Sequence, residues 1–214
     1  MQWLVLWASL AVGGGDWDDG TLLFLENCNS VVQWTGDGKI GHVALLFNDA
    51  DETWVYEATP GQLRRVTIQQ YIAELTRLNA RRDNTDPIRA WALQPKQPYS
   101  ADEIAAMRQY LDDQLGRRYS VRNYVRKTPG DGMHCAELAS STLNRSRRFR
   151  FENCSKMHPA DLYERVGDSH VPPQGLKLEA ELPQLTWRQR ASRRWDESWN
   201  WCSWSCGEAW AWCW

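Results

Sequence analysis

Charge of one sign is missing from this chain. Its 214 residues carry 25 Lys and Arg against 27 Asp and Glu, a formal net charge of −2. Such a balance gives no general pull toward nucleic acid or acidic surfaces, so a nucleic-acid partner is not expected. Metal-binding spacing is missing too. The six Cys at 28, 135, 154, 202, 206 and 213 form no CxxC pair and no Cys/His pattern of a zinc site. Their even number permits disulfides in an exported protein without requiring them. There is no internal repeat, and long apolar runs are scarce. The one run of note, Met1 to Val12 before Gly13-Gly14-Gly15, is too short to cross a bilayer as a helix. It has the apolar core and small-residue end of a secretion signal but not the basic n-region. Export and a buried N-terminal segment both remain open, with the balance toward an exported or envelope-associated protein.

Tryptophan, by contrast, is plentiful. Seven of the 14 Trp lie in the last twenty residues, from Trp195 to Trp214, behind an Arg-rich stretch that starts at Arg188. Trp favours membrane interfaces and Arg favours anionic headgroups. The expectation is membrane-surface contact through this tail; the alternative is a packing element laid over the domain.

Between these ends the pattern is α+β, not regular βαβ alternation. Thr21–Leu25, 41–47 and 53–58 read as strands. The last two flank the polar residues Asn48 to Asp51, so a hairpin is expected. If Phe47 pairs with Glu52, His42 lies directly opposite Glu57 with both side chains on one face. Leu63 to Val66 adds a strand, and Thr67 and Gln70 have capping-box spacing before a helix marked by Ile68, Tyr71, Ile72 and Leu75. Ile88–Leu93 is a further strand. Ser100 and Glu103 open a second helix that ends at Gly116, and Pro159 opens a short one. Pro172-Pro173 closes the compact part. The domain organisation expected is 1–17 leader or N-terminal segment, 18–170 catalytic domain, and 171–214 linker and Trp-rich extension.

The chemistry concentrates on Cys135. It follows the turn Pro129-Gly130-Asp131-Gly132 and opens a predicted helix, where the positive end of the backbone dipole lowers a thiol pKa. A nucleophilic thiol needs a base and donors for a developing oxyanion. His42, on an apolar strand, is the candidate base, and Glu57, between residues that read as buried, is the candidate orienter. A buried carboxylate needs a partner. The plainer alternatives are a small buried hydrophobe for Cys135, a satisfied core residue for His42 and a solvated edge charge for Glu57. Of the other histidines, His134 diverges from Cys135 at a helix start and reads as a neighbouring polar or packing residue. His158 reads as a residue leading into the short helix, and His170 as solvated. Glu137 reads as a helix-dipole partner and Cys28 as an inert thiol. The basic group Arg117, Arg118, Arg122, Arg126 and Lys127 reads as a solvated loop face.

The motifs Gly20-Thr21-Leu22-Leu23-Phe24, Gly41-His42-Val43, Val55-Tyr56-Glu57-Ala58, Gly116 with Tyr119, Cys135-Ala136-Glu137-Leu138 and His158-Pro159-Ala160-Asp161-Leu162 occur in an order that resembles the YiiX-like proteins. These are permuted papain-like cysteine hydrolases of the NlpC/P60 superfamily, related to lecithin retinol acyltransferase. The resemblance spans about residues 18–165. It implies a circularly permuted papain-like fold, with an antiparallel sheet against the nucleophile helix. The triad it implies is Cys135, His42 and Glu57, with no metal or organic cofactor. Thr21 stands where the family has Asp, Ala136 where Ser is common, and Ser120 where Asp is often seen. These departures bear on substrate choice more than on chemistry. The implied activity is cleavage of an amide or ester bond in a cell-envelope peptide or lipid. Acyl transfer by the same triad and a non-catalytic envelope-binding module are the alternatives.

Overall fold

A computed structural model of the protein describes residues 17–28, 39–49, 52–80, 87–120 and 132–178. The leader, the basic residues Arg122, Arg126 and Lys127, and the Trp-rich tail lie outside the described residues.

The apolar runs build one sheet. Its strands are β1 (Thr21–Glu26), β2 (Ile40–Asp49), β3 (Glu52–Ala58), β4 (Leu63–Thr67), β5 (Arg89–Leu93) and β6 (Gln174–Leu176). They lie in the order β4-β3-β2-β1-β5-β6, with antiparallel pairing throughout. Both faces of the central strands are covered, so β1 and β2 read as nearly continuous apolar segments. Leu22, Phe24, Val43, Leu45 and Phe47 pack into one core, and Leu23, Leu25, Ala44, Leu46 and Val55 into the other. Each such fully buried Leu contributes about 1.5–3 kcal/mol over leaving it exposed.

Helix α1 (Ile68–Asn79) covers one face through Ile68, Tyr71, Ile72 and Leu75. The other face is covered by α2 (Ala101–Gln114), α3 (Cys135–Arg145) and α4 (Pro159–Val166), with Met107, Leu138 and Leu162 among the side chains they bury there. Both expected capping boxes form. Thr67 accepts from the Gln70 amide, and Ser100 from the Glu103 amide, while each partner side chain reaches back. Satisfying two orphan amides at each start fixes where these helices begin. The molecule is thus the α+β sheet-and-helix arrangement expected from the sequence.

The β2–β3 hairpin differs from expectation in one respect. Asp49 pairs with Glu52 and Phe47 with Trp54, so the connection is two residues long and the register is displaced by two. Asn48 and Thr53, expected in or next to the loop, instead extend the ladder and share a side-chain hydrogen bond of 2.8 Å. An even displacement keeps every side chain on its face, so His42 and Glu57 still share a face but are not directly opposite. Beyond Pro172-Pro173 the chain adds β6 on the free side of β5, past the point where the sequence reading closes the compact part.

Candidate active site

Cys135 is placed by a pinned loop and an unusual cap. The amide of Met133 donates to the Arg118 carbonyl at 2.9 Å, and the amide of Ser120 donates back to the Met133 carbonyl at 3.2 Å. Gly132 makes this possible: a Cβ there would stand 2.2 Å from the Ser120 Cβ. His134 then caps α3. Its backbone is extended, and its Nδ1 accepts from the Glu137 amide at 3.3 Å. Its Nε2 lies 3.0 Å from the Ser155 carbonyl, which can only accept, so the proton sits on Nε2. Cys135 follows as the first helical residue, 3% exposed, with a free thiol.

Its neighbour His42 comes from β2. His42 pairs with Leu25 of β1, and the next pair is Glu26 with Ile40, so Gly41 is an extra residue at a bulge beside it. Bulges re-aim neighbouring side chains. The β2–β3 ladder runs only as far as Leu45 and Tyr56. His42 and Glu57 therefore lie where the two strands have parted, and α3 contacts both strands. The His42 imidazole is within hydrogen-bonding reach of the Cys135 thiol. Its Nε2 stands 3.0 Å from Glu57 Oε2, leaving Nδ1 to face the sulfur.

The electrostatics follow from this contact. Burial pushes the Cys135 thiol up, but the charge and proximity of His42, with neighbouring His134 adding to them, outweigh it and bring the thiol down to about 5. Burial likewise lowers His42, but the Cys135 thiolate and the Glu57 carboxylate outweigh it and raise the imidazole to about 10. The two shifts together favour a thiolate beside an imidazolium. Burial pushes Glu57 up, and its bond to His42, with the charges of His42 and Arg64, holds it below the usual carboxylate range.

Glu57 is 3% exposed, and its partners account for both its oxygens. Arg64, on β4 opposite Glu57, donates to Oε1 from Nε at 2.8 Å and Nη2 at 2.6 Å. The same guanidinium reaches Glu74 on α1, Nη2 to Oε2 at 2.5 Å and Nη1 to Oε1 at 3.4 Å. Tyr71, one turn earlier on α1, is buried, and among the described residues its hydroxyl has no hydrogen-bond partner. Burial and the Glu57 charge hold its phenol well above the ordinary tyrosine value.

The structure thus brings together Cys135, His42 and Glu57. The sequence reading did not name Arg64, Glu74 or Tyr71 for the site. A signal for Arg64 was present: the turn Thr59-Pro60-Gly61-Gln62 between two strands sets Glu57 opposite Arg64. His134 is a correction. Read as a neighbouring polar or packing residue, it is the cap of α3, because its side chain folds back over the first turn to accept from the Glu137 amide. His170 is a second correction. Expected in solvent, it is 2% exposed, held by a bridge to Pro95 and by Nδ1 contacts to Val166 O at 3.0 Å and Ser169 Oγ at 2.9 Å. His158 caps α4 as expected, accepting from the Ala160 amide. Glu137 stands in the first turn of α3, and Cys28 is half-buried, its Sγ donating to the Leu25 carbonyl at 3.7 Å.

Among the described residues no group of three or more His, Cys, Asp or Glu could hold a metal ion. No helix among them is long and apolar enough to cross a membrane. No family model matches the sequence, and no curated protein matches it. Among solved structures, the chain is similar to metalloprotein yiiX from Escherichia coli O157:H7, at 17% identity and a TM-score of 0.48, over 80% of this chain and 96% of that one.

Proposed function

We propose that this protein is a cysteine hydrolase of the amidase or peptidase type. The observation that carries the reading is the contact of the Cys135 thiol with an imidazole whose other nitrogen is held by Glu57. A thiol at a helix start, a base in reach and an acid orienting the base are the parts a nucleophilic mechanism needs.

In this reading the Cys135 thiolate attacks the substrate carbonyl carbon. His134 occupies the Glu137 amide, which leaves the Cys135 and Ala136 amides as the first-turn donors for the oxyanion. The tetrahedral intermediate collapses, the C–N or C–O bond breaks, and His42 gives its proton to the leaving group. His42 then takes a proton from water, which attacks the thioester and frees Cys135. Glu57 keeps Nδ1 toward the sulfur and stabilises the imidazolium. The resemblance carried by the sequence motifs adds the substrate class, an amide or ester of a cell-envelope peptide or lipid.

The test is to incubate the protein with peptidoglycan stem peptides and, separately, with phospholipid vesicles, and to read the intact protein and products by mass spectrometry. The expected result is product release with a transient acyl group on Cys135, absent in Cys135→Ala. Neither product nor adduct with either substrate would count against the reading. An added amine appearing in the product would show acyl transfer instead.

A further inference from the structure

We propose that Arg64 is a positioning residue for the Cys135–His42 pair, its two-pronged contact with Glu57 fixing the carboxylate that orients the imidazole. The inference rests on the cysteine-hydrolase reading and extends the site beyond the triad. A carboxylate held through one oxygen can still rotate. Glu57 is held through both, Oε2 by His42 at 3.0 Å and Oε1 by Arg64 Nε and Nη2 at 2.8 and 2.6 Å. Both Arg64 donors converge on Oε1, so the guanidinium pins that oxygen while His42 pins the other.

Arg64 is itself held. Glu74 binds it from the far side through two contacts and is 37% exposed, so the array reaches the protein surface. From the sulfur outward the ionised groups alternate in sign: the Cys135 thiolate, the His42 imidazolium, Glu57, Arg64 and Glu74. Each buried charge faces an opposite one, as charges taken out of water require.

The groups around Glu57 come from several elements. His42 faces it from β2, Arg64 from β4, and Tyr71 and Glu74 lie on the α1 side, while Cys135, with His134 beside it at the α3 start, acts on His42 from beyond. Tyr71 is neutral at working pH, because burial and Glu57 hold its phenol up. Besides the imidazolium, Arg64 is therefore the cation in contact with Glu57 among the described residues. Without it, Glu57 would take up a proton at higher pH and hold the imidazolium less firmly. The thiol would then lose part of its partner charge.

The test is iodoacetamide labelling of Cys135 across pH in the wild type, Arg64→Gln and Arg64→Lys, with folding checked by circular dichroism. Arg64→Gln removes charge and fork and is expected to raise the labelling midpoint by about one pH unit. Arg64→Lys keeps the charge but gives Oε1 a single point donor in place of two fixed ones, and a rise of about half a unit is expected. A role confined to the fold would lower stability without moving either midpoint. Unchanged midpoints in both variants overturn the proposal. If Arg64→Gln does not fold, Arg64→Lys decides, and a wild-type midpoint in it overturns the proposal. A wild-type midpoint near the ordinary thiol value of about 8.5 would instead bring down the hydrolase reading itself.

Discussion

His42 meets Glu57 on the diagonal. Its Nε2 stands 3.0 Å from Glu57 Oε2, although the β2–β3 register, with Phe47 on Trp54, does not set the two residues opposite each other. Diagonal neighbours in a sheet are within reach of long side chains. The contact depends on face, which an even change of register preserves, and on the parting of the strands beyond Leu45 and Tyr56, which admits the Cys135 helix start.

Glu57→Gln tests the orienting role. The new amide could donate to Nε2 and force the proton of a neutral imidazole onto Nδ1, the side that must accept from the thiol. Hydrolysis is expected to fall by about a hundredfold in kcat with little change in KM. Arg64 keeps Glu74, so the stability cost is expected to stay at about 1–3 kcal/mol. Steady-state kinetics and urea unfolding read the two effects separately.

Gly132→Ala tests the loop that delivers the nucleophile. The added Cβ would meet the Ser120 Cβ at 2.2 Å, and both groups sit on backbone, so neither can swing aside. The loop must shift, and Cys135 lies three residues on. Overpacking of this kind costs about 1–3 kcal/mol, and a displaced nucleophile costs about tenfold or more in rate. Urea unfolding and the Cys135 labelling rate at neutral pH check both expectations.

His134→Ala and His134→Asn separate capping from the Ser155 bond. Alanine loses both; asparagine, a good cap in general, keeps the first. The loss of a cap costs about 0.5–2 kcal/mol. The alanine variant is therefore expected to unfold at lower urea than the asparagine variant. Both are expected to raise the Cys135 midpoint, since neighbouring His134 helps hold the thiol down.

Arg148→Ala tests acid stability away from the site. Arg148 holds Glu103 through Nε at 2.6 Å and Nη2 at 2.7 Å, and that bond first, with the Ser100 cap, lowers Glu103 to about 2. A carboxyl with a depressed folded pKa contributes stability that is present above its unfolded pKa, about 4.3. That contribution is lost as pH falls toward about 2. The wild-type advantage over the variant in urea is therefore expected to shrink between these two values. It should not vanish, because Arg148 also donates to the carbonyls of Gln97 and Pro98.

The strands and helices were legible because their signals are local. Thr67 with Gln70 and Ser100 with Glu103 declare helix starts, and the apolar runs at β1 and β2 declare buried strands. The pairing of His42 with Glu57 was legible because face parity survives a two-residue error in register. His134 was missed because histidine is not a preferred cap, and its second bond goes to Ser155, twenty-one residues away. His170 was misplaced because its burial depends on a bridge to Pro95, a contact no periodicity announces. Glu74 faced the site only once α1 had docked on β4.

The most direct test of the central claim is the ultraviolet absorbance of the Cys135 thiolate, followed against pH as the difference between wild type and Cys135→Ala. The account predicts a midpoint near 5, moving up toward the ordinary value of about 8.5 in His42→Ala because the largest influence opposing burial is then gone. A wild-type midpoint at or above about 8.5, or one that His42→Ala leaves unchanged, would contradict it.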